Sequence, residues 1–205
     1  MIVEQIVVGQ LENNIFLVVD EKTKKAVLID GTADVVEIAD KVKLHQADIE
    51  YVLLTHGHFD HVMGVNALKK TFDAEALIHK GDLLISDNIN EYGSLFGLGE
   101  CDIPKYEGFF EDNQTIKVGE MEIKVIHTPG HTEGGACFLI ENQLFSGDTL
   151  FRDCIGRTDL FGGNYNKLAN SIKTKLFTLD ENILVHCGHG PSTSIAYEKK
   201  YNKHV

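Results

Sequence analysis

Thr55-His56-Gly57-His58-Phe59-Asp60-His61 holds three histidines and one aspartate within seven residues. It follows an apolar run at residues 51–54, which predicts a buried strand, and it precedes a helical pattern. Alternate residues of an extended loop face the same way, and the start of a helix turns the next residues toward a neighbouring point. The three histidines and the aspartate of this stretch can therefore supply ligands to two adjacent metal ions.

Three turn sequences farther along the chain offer partners for this loop. They are His127-Thr128-Pro129-Gly130-His131-Thr132, Phe145-Ser146-Gly147-Asp148-Thr149 and Gly188-His189-Gly190-Pro191, and each follows a β-rich run. A lone histidine at such a place is more often a surface or core residue than a ligand. Four such turns in one chain predict a composite metal centre at strand ends, where functional residues tend to lie. Gly57 is interpreted as letting the backbone approach an ion closely.

The remaining pattern predicts an alternation of strands and helices. Strands are predicted at residues 2–8, 15–19, 26–29, 51–54, 74–78, 115–118, 121–126, 136–140, 143–145 and 183–185. Helices are predicted at 33–44, 62–72, 164–177 and 192–201. This order predicts two sheets packed together with helices outside. No linker or low-complexity segment interrupts it, so we expect one domain over residues 1–205.

Residues 80–110 are less regular than the rest of the chain. An apolar run that contains Leu95, Phe96 and Leu98 is interrupted there by three glycines, Gly93, Gly97 and Gly99. We expect an excursion over the surface. The sequence leaves open whether it is a lid or substrate-facing wall, or a packed structural loop.

Charge and composition exclude several classes of partner. The formal net charge of −12 repels phosphate backbones and no basic tract offsets it, so nucleic acid is not expected as a partner. Residues 1–5 carry an acid where a signal peptide is basic, and no segment is apolar for long enough to span a bilayer. We expect a cytoplasmic protein without membrane contact. The cysteines form no Cys-x-x-Cys pair and are expected to be reduced thiols: Cys101, Cys137, Cys154 and Cys187.

Taken together, the four motifs resemble those of the metallo-β-lactamase superfamily over nearly the whole chain. The resemblance implies an α/β fold, a four-layer αββα sandwich with metals at the edge of the two sheets. It assigns His56, His58 and His131 to one ion, and Asp60, His61 and His189 to the other. The carboxylate of Asp148 is implied to bridge both. We expect both divalent ions to be zinc, although iron or manganese suits the same ligands.

A finer resemblance concerns the run Leu144-Phe145-Ser146-Gly147-Asp148-Thr149-Leu150-Phe151 followed by Gly156-Arg157-Thr158-Asp159. It looks like the glyoxalase II branch, the hydroxyacylglutathione hydrolases, in their short bacterial form. Longer members add a C-terminal helical region that helps to bind glutathione, whereas this sequence ends about one helix after His189. Glutathione-specific members tend to carry Lys and Tyr in place of Arg157 and Asp159. The resemblance implies a small thioester or ester substrate and leaves the thiol, the acyl group and the oligomeric state open.

The implied reaction is hydrolysis by a hydroxide that bridges two ions. Two divalent ions lower the pKa of a shared water from ~16 toward ~7, and Asp60 and Asp148 are expected to orient it as catalytic residues. A Ser-His-Asp mechanism is disfavoured because the chain has no Gly-x-Ser-x-Gly elbow.

Three alternatives remain. A persulfide dioxygenase of this fold would bind one iron through His56, His131 and Asp148, although the intact Gly188-His189-Gly190-Pro191 favours two metals. A lactonase is the runner-up within hydrolysis. A non-catalytic metal-binding protein is disfavoured by the complete ligand set.

Three further residues are candidates for supporting roles. Asp30 can accept a hydrogen bond from a ligand imidazole or a loop amide, or can be a plain turn residue. His127 is the other candidate for a position behind the ligands. Arg157 can hold a substrate carboxylate in bidentate fashion, or can pair with Asp159.

Overall fold

Two six-stranded β-sheets form the centre of the molecule. A computed structural model describes residues 1–32, 35–95, 97 and 100–205. The first sheet opens with the predicted antiparallel meander of β1 (Ile2–Val8), β2 (Asn13–Val19) and β3 (Lys25–Ile29). Helix α1 (Val35–His45) then leads to β4 (Asp48–Leu53), which pairs parallel to β3. The β-to-α-to-β alternation expected from the sequence is therefore present.

The histidine-rich segment at residues 55–61 lies directly after β4. It begins as an extended loop and continues into the short helix α2 (Phe59–Val62), which is followed by α3 (Val65–Phe72) and by β5 (Glu75–Ile78). Since β5 pairs parallel to β4, the carboxyl ends of both strands lie at the same edge of the sheet.

The segment predicted to be irregular forms short helical pieces. A 3-10 turn (Lys80–Asp82), α4 (Leu83–Asp87) and α5 (Ile89–Leu95) precede β6 (Gly108–Phe109), which completes the first sheet beside β5. Ser86 and Ile89 are buried, so part of this segment is packed structure. Phe96, Leu98 and Gly99 lie outside the described residues, as do Ala33 and Asp34 at the start of the predicted first helix.

The second sheet combines a meander with a crossover. Strands β7 (Thr115–Val118), β8 (Met121–His127), β9 (Ala136–Ile140) and β10 (Gln143–Gly147) pair antiparallel in sequence order. A small hairpin follows, formed by β11 (Leu150–Phe151) and β12 (Cys154–Ile155). After α6 (Tyr165–Ser171) and a π-helical turn (Ile172–Leu176), β13 (Leu184–Cys187) pairs parallel to β10. β14 (Thr193–Ser194) and α7 (Ile195–Tyr201) close the chain.

Three apolar clusters bind these elements into four layers. The middle cluster joins the two sheets, with Phe16 and Leu53 from one facing Phe138 and Phe145 from the other. The outer clusters bury α1 and α3 against the first sheet, and α6 and α7 against the second. The αββα sandwich implied by the resemblance is confirmed.

Side-chain caps set two helix boundaries that the sequence pattern placed too early. The last helix begins at Ile195 rather than at residue 192, because the Ser194 hydroxyl accepts the Tyr197 amide and residues 193–194 pair with β13. Asn164 likewise caps α6 by accepting the Lys167 amide, so the helix begins one residue later than predicted. In the part of the chain that the structure describes, no helix is long and apolar enough to cross a membrane.

Candidate metal centre

The predicted ligands lie where four strands end. The loop after β4 carries His56 and His58, the turn after β8 carries His131, Asp148 follows β10 directly, and His189 follows β13. β10 and β13 run parallel, and the two antiparallel pairings of β8 with β9 and of β9 with β10 give β8 the same direction. The fold therefore gathers residues that are up to 133 positions apart at one edge of the sandwich.

All seven predicted ligands come together there. Donor atoms within 4.8 Å of one another form three overlapping groups: His56, His58 and His131; His56, His61 and Asp148; and Asp60, His61 and His189. The first and third groups share no residue. They are the two ligand sets that the resemblance assigned to separate ions.

Asp148 lies between these two sets. Its Oδ1 atom is 3.5 Å from His61 Nε2 and 3.8 Å from His189 Nε2, whereas its Oδ2 atom is 3.6 Å from His131 Nε2. Each carboxylate oxygen therefore faces a different set.

Hydrogen bonds orient the histidine rings so that Nε2 faces the centre. His131 Nδ1 is 2.7 Å from the Arg157 carbonyl and His189 Nδ1 is 2.9 Å from the Leu11 carbonyl. Because a carbonyl oxygen can only accept, both Nδ1 atoms carry the proton and donate. With the proton on Nδ1, the Nε2 atom of each ring is the one that can bind an ion, which is the usual arrangement behind a metal-binding histidine.

Asp30 orients a ligand ring in the same way within residues 55–61. Its Oδ2 atom is 2.8 Å from His61 Nδ1, and its Oδ1 atom accepts the Thr55 amide at 2.7 Å. The Thr55 hydroxyl also donates to Asp30 and lies 3.0 Å from His56 Nδ1. Asp30 thus contacts both a ligand imidazole and a loop amide, and is more than a plain turn residue.

The electrostatics of the cluster favour cations. Burial and the neighbouring histidines lower the pKa of His56 well below its ordinary value, and burial with His131 lowers the pKa of His58 to about 3. Burial would also lower the pKa of His61, but the carboxylates of Asp60, Asp30 and Asp148 outweigh it and raise that pKa to about 10. The same negative potential that favours a proton on His61 favours a divalent cation at its Nε2 atom.

The donor set passes a further test of fit to metal ions. His56 Nε2, His131 Nε2 and Asp148 Oδ1 are buried polar atoms without a hydrogen-bond partner among the described residues. Such atoms carry a desolvation cost that coordination offsets. Donors 2.0–2.1 Å from a tetrahedral ion are roughly 3.3 Å apart, and His61 Nε2 and His189 Nε2 are 3.3 Å apart. Nitrogen and carboxylate donors of this kind suit zinc, iron and manganese.

His127 does not support a ligand, contrary to the prediction. Its ring stacks on His79 with centroids 4.1 Å apart, and its Nε2 donates to the Glu133 carbonyl at 2.9 Å. No hydrogen bond in the described part of the chain joins it to a predicted ligand. His127 is the last residue of β8, so its nearness to His131 in sequence does not bring the two rings together.

Asn13 supports the centre but was missed by the sequence analysis. Its side chain is buried, and its Nδ2 donates to Asp60 Oδ2 at 3.0 Å and lies 3.5 Å from His189 Nε2. The signal was only an Asn-Asn pair before a predicted strand, which resembles an ordinary turn. A second missed residue, Asp82, connects two of the ligand loops.

Glycine at position 188 makes room for the centre. A Cβ atom there would lie 2.3 Å from Asp148 Oδ1 and 3.0 Å from His61 Cε1. Glycine at position 57 makes room as well, because a Cβ atom there would meet the Asp82 carbonyl oxygen at 2.8 Å. It gives space to a neighbouring aspartate.

A cavity of about 320 Å³ opens onto the centre. It is lined by five of the predicted ligands, by Arg157 and by six apolar or aromatic side chains: His58, Asp60, His131, Asp148 and His189, with Leu11, Phe59, Ile85, Tyr92, Leu160 and Phe161. The segment at 80–95 therefore forms part of the wall. The Arg157 guanidinium donates to both Asp159 oxygens, from Nε at 2.8 Å and from Nη2 at 2.7 Å. Of the two roles open for Arg157, the structure shows the ion pair.

The sequence profile described as the metallo-beta-lactamase superfamily matches residues 8–189. The chain belongs to this superfamily. Hydroxyacylglutathione hydrolase GloC of Haemophilus influenzae is 32% identical to it over 206 residues, which cover 98% of this chain and 97% of that protein.

Two solved structures of the superfamily superpose over almost the full length. The B3 metallo-beta-lactamase BLEG-1 has a TM-score of 0.91 at 32% identity and covers 98% of both chains. TTHA1623 in a di-iron-bound form has a TM-score of 0.89 at 31% identity, over 98% of this chain and 100% of that one. The fold and the His/Asp cluster of this chain are thus those of a metallo-hydrolase superfamily.

Proposed function

We propose that this protein is a binuclear metal-dependent hydrolase that cleaves small thioesters. One observation carries the proposal: two complete sets of three donors lie side by side, with one oxygen of Asp148 facing each set. His56, His58 and His131 would hold one ion, and Asp60, His61 and His189 the other. Zinc is the metal we propose, and the relative with two irons supports a pair of ions in this fold.

The ions would supply the nucleophile. When bound, two divalent ions lower the pKa of a shared water toward ~7 and polarise the substrate carbonyl. The chain contributes orientation: Asp60 and Asp148 line the cavity, and their carboxylates can accept hydrogen bonds from that water. Asn13 holds Asp60 in place through Oδ2, so Asp60 keeps one orientation.

The cavity favours an acyl group with an apolar surface. Six of its lining side chains are apolar or aromatic, and they offer such a group an apolar surface. A thiol has a pKa of about 8.5 and leaves as an anion near neutral pH. The leaving group of a thioester therefore needs no proton from the protein, which supports a thioester over an amide. The named activity of the GloC relative supports the same choice.

The competing iron-dependent dioxygenase would need only His56, His131 and Asp148. It would leave Asp60, His61 and His189 without a role, although Asn13, Asp30 and the Leu11 carbonyl hold these three side chains in place. The geometry supports hydrolysis for this reason.

The experiment is metal quantification on the purified protein, followed by a turnover panel. The panel comprises lactoylglutathione, acyl-coenzyme A, esters of low-molecular-weight bacterial thiols, homoserine lactones, and glutathione persulfide with an oxygen electrode. We expect two metal ions per chain and hydrolysis of at least one thioester. One iron per chain with oxygen consumption, or turnover of lactones alone, would overturn the proposal. No turnover of any of these compounds, of phosphodiesters or of β-lactams by fully metallated protein would assign a non-catalytic role.

A further inference from the structure

Asp82 is a fully buried carboxylate outside every motif identified above. It ends the 3-10 turn Lys80–Asp82, and its exposed fraction is 0%. Three donors surround it: the Gly57 amide at 2.9 Å, the Thr132 hydroxyl at 2.7 Å and the Gly134 amide at 2.6 Å. Its two oxygens thus receive hydrogen bonds from two separate loops.

Both of these loops carry ligands of the same predicted ion. Gly57 lies between His56 and His58, and Thr132 follows His131 directly. His56, His58 and His131 form one of the ligand groups. Asp82 therefore connects the loop after β4 to the turn after β8 by hydrogen bonds to residues next to these three histidines.

The packing around Asp82 leaves no room for adjustment. A Cβ atom at Gly57 would lie 3.0 Å from the Asp82 Cβ atom, and one at Gly134 would lie 2.7 Å from its Cγ atom. A Cβ atom at Gly81 would meet the Gly134 amide nitrogen at 2.9 Å. Three glycines thus allow the two loops and the aspartate to approach one another closely.

The carboxylate needs all three donors. Burial raises the pKa of Asp82, and the hydrogen bonds from Thr132, Gly134 and Gly57 oppose this shift. A buried carboxylate without such donors would carry a large desolvation cost. Asp82 is absent from the cavity lining, so it acts on the centre through the loops it holds and through its charge near His131.

The other ligand group has different supports. Asp30 accepts from His61, the Leu11 carbonyl accepts from His189, and Asn13 donates to Asp60. None of the described hydrogen bonds of Asp82 reaches these residues or their supports.

We propose that Asp82 is a positioning residue that sets the affinity of one ion site, the one formed by His56, His58 and His131, and leaves the other site largely unaffected. This inference rests on the proposed function, because it requires two separate ion sites. The physical reason is that three imidazoles on two independent loops bind an ion well only when the loops are held at a fixed separation.

The test is zinc binding to the metal-free Asp82→Asn variant in zinc-buffered solutions. Asn keeps the size of the side chain but removes the charge and places an amide group against donors. We expect two zinc equivalents in the wild type, and in the variant one equivalent weakened by about 10- to 100-fold with the other retained. His58→Ala and His189→Ala identify the two equivalents. His58→Ala leaves the site that contains His189, and adding Asp82→Asn should change the zinc affinity of this site little. His189→Ala leaves the site that contains His58, and adding Asp82→Asn should weaken its zinc affinity.

Two controls separate positioning from general damage. Glu198→Gln is the matched variant, because Glu198 is equally buried and accepts from the Thr193 hydroxyl and the Asp153 amide away from the centre. It should leave both zinc affinities unchanged. Thr132→Val removes one donor to Asp82 and should weaken the same equivalent, whereas Thr132→Ser keeps the hydroxyl and should restore it. These two variants also serve if Asp82→Asn does not fold.

The outcomes are distinguishable. Suppose that the wild type binds two zinc equivalents, but that Asp82→Asn and Thr132→Val weaken the affinity of both equivalents or of neither. This result would overturn the proposed role of Asp82 and leave the two-metal proposal standing. Fewer than two wild-type equivalents would overturn the two-metal proposal and the Asp82 inference with it.

Discussion

The Nδ1 atom of His61 lies 2.8 Å from Oδ2 of Asp30, and both side chains are buried. This contact fixes the His61 ring with Nε2 toward Asp60, Asp148 and His189. The carboxylates around His61 raise its pKa to about 10 despite burial. The pair therefore links the first sheet, through Asp30 after β3, to the predicted site of the second ion.

Replacing Asp30 by Asn should weaken zinc binding at the His61 site by about 10- to 100-fold, because a neutral acceptor stabilises the cation and its ligand less. Asn suits this position, since Asp30 has a φ of 65° and Asn tolerates left-handed backbone better than most residues. Zinc-buffered titration measures the effect, with the melting temperature as a check on folding. Unchanged affinity for both equivalents would contradict it.

Gly188→Ala should abolish most hydrolysis. The added Cβ atom would lie 2.3 Å from Asp148 Oδ1, so this carboxylate, which we propose to bridge the two ions, must move, and a displacement of ~1 Å can cost about 100-fold in rate. Gly190→Ala is the control, because a Cβ atom there has nothing within 4 Å while its φ of 69° adds backbone strain. The control should lose about 1 kcal/mol of stability and keep its activity. Equal loss of activity in both variants would contradict the account.

His186 should make stability depend on pH. Burial lowers its pKa to about 4, and its ring stacks on Phe145 at 4.9 Å. The unfolded chain, with a histidine pKa near 6.5, binds the proton more readily, so the contribution of His186 to stability is complete above pH ~6.5 and is lost as the pH falls toward ~4. In His186→Phe this loss should be absent.

Urea unfolding of the metal-free wild type and of His186→Phe between pH 4.5 and 7.5 measures this difference. The free energy of unfolding of the wild type should fall more steeply on acidification, by at most about 1.4 kcal/mol per pH unit. Above pH 7 the two slopes should coincide. Parallel curves over the whole range would show that His186 does not titrate differently in the folded state.

Asp159→Asn should change selectivity by releasing Arg157. The guanidinium now donates to both Asp159 oxygens. Once released, it can pair with a carboxylate on the substrate, raising kcat/KM for a carboxylate-bearing thioester by about 2- to 5-fold, the strength of an exposed ion pair. A neutral thioester should not respond. Asp153→Asn removes the same charge near Arg152 and is the matched control. An equal increase for both substrates would point to net charge rather than to Arg157.

The ligands were predictable because each stands in a short motif at a strand end. His56, His131 and His189 each follow a β-rich run and each have glycine as a neighbour, and this local pattern can be recognised without the structure. Strands of seven residues such as Ile2–Val8 were also predictable, whereas the two-residue strand Leu150–Phe151 is too short to show any alternation.

The supporting residues were largely not predictable, because their roles arise from tertiary contacts. Asp82 lies 25 positions from Gly57 and 52 from Gly134, and nothing in its neighbours distinguishes it from an exposed turn. Asn13 reaches Asp60 across 47 positions. His127 shows the opposite error, since it was a candidate for a position behind the ligands, whereas its ring stacks on His79 and donates to the Glu133 carbonyl.

Thioester hydrolysis measured while metal-free protein is titrated with zinc tests whether two ions are needed for activity. Two complete ligand sets sharing Asp148 predict that activity rises to a plateau at two equivalents per chain, and that His189→Ala stays far below it at any zinc concentration. A plateau of full activity at one equivalent, unchanged by His189→Ala, would contradict the binuclear account.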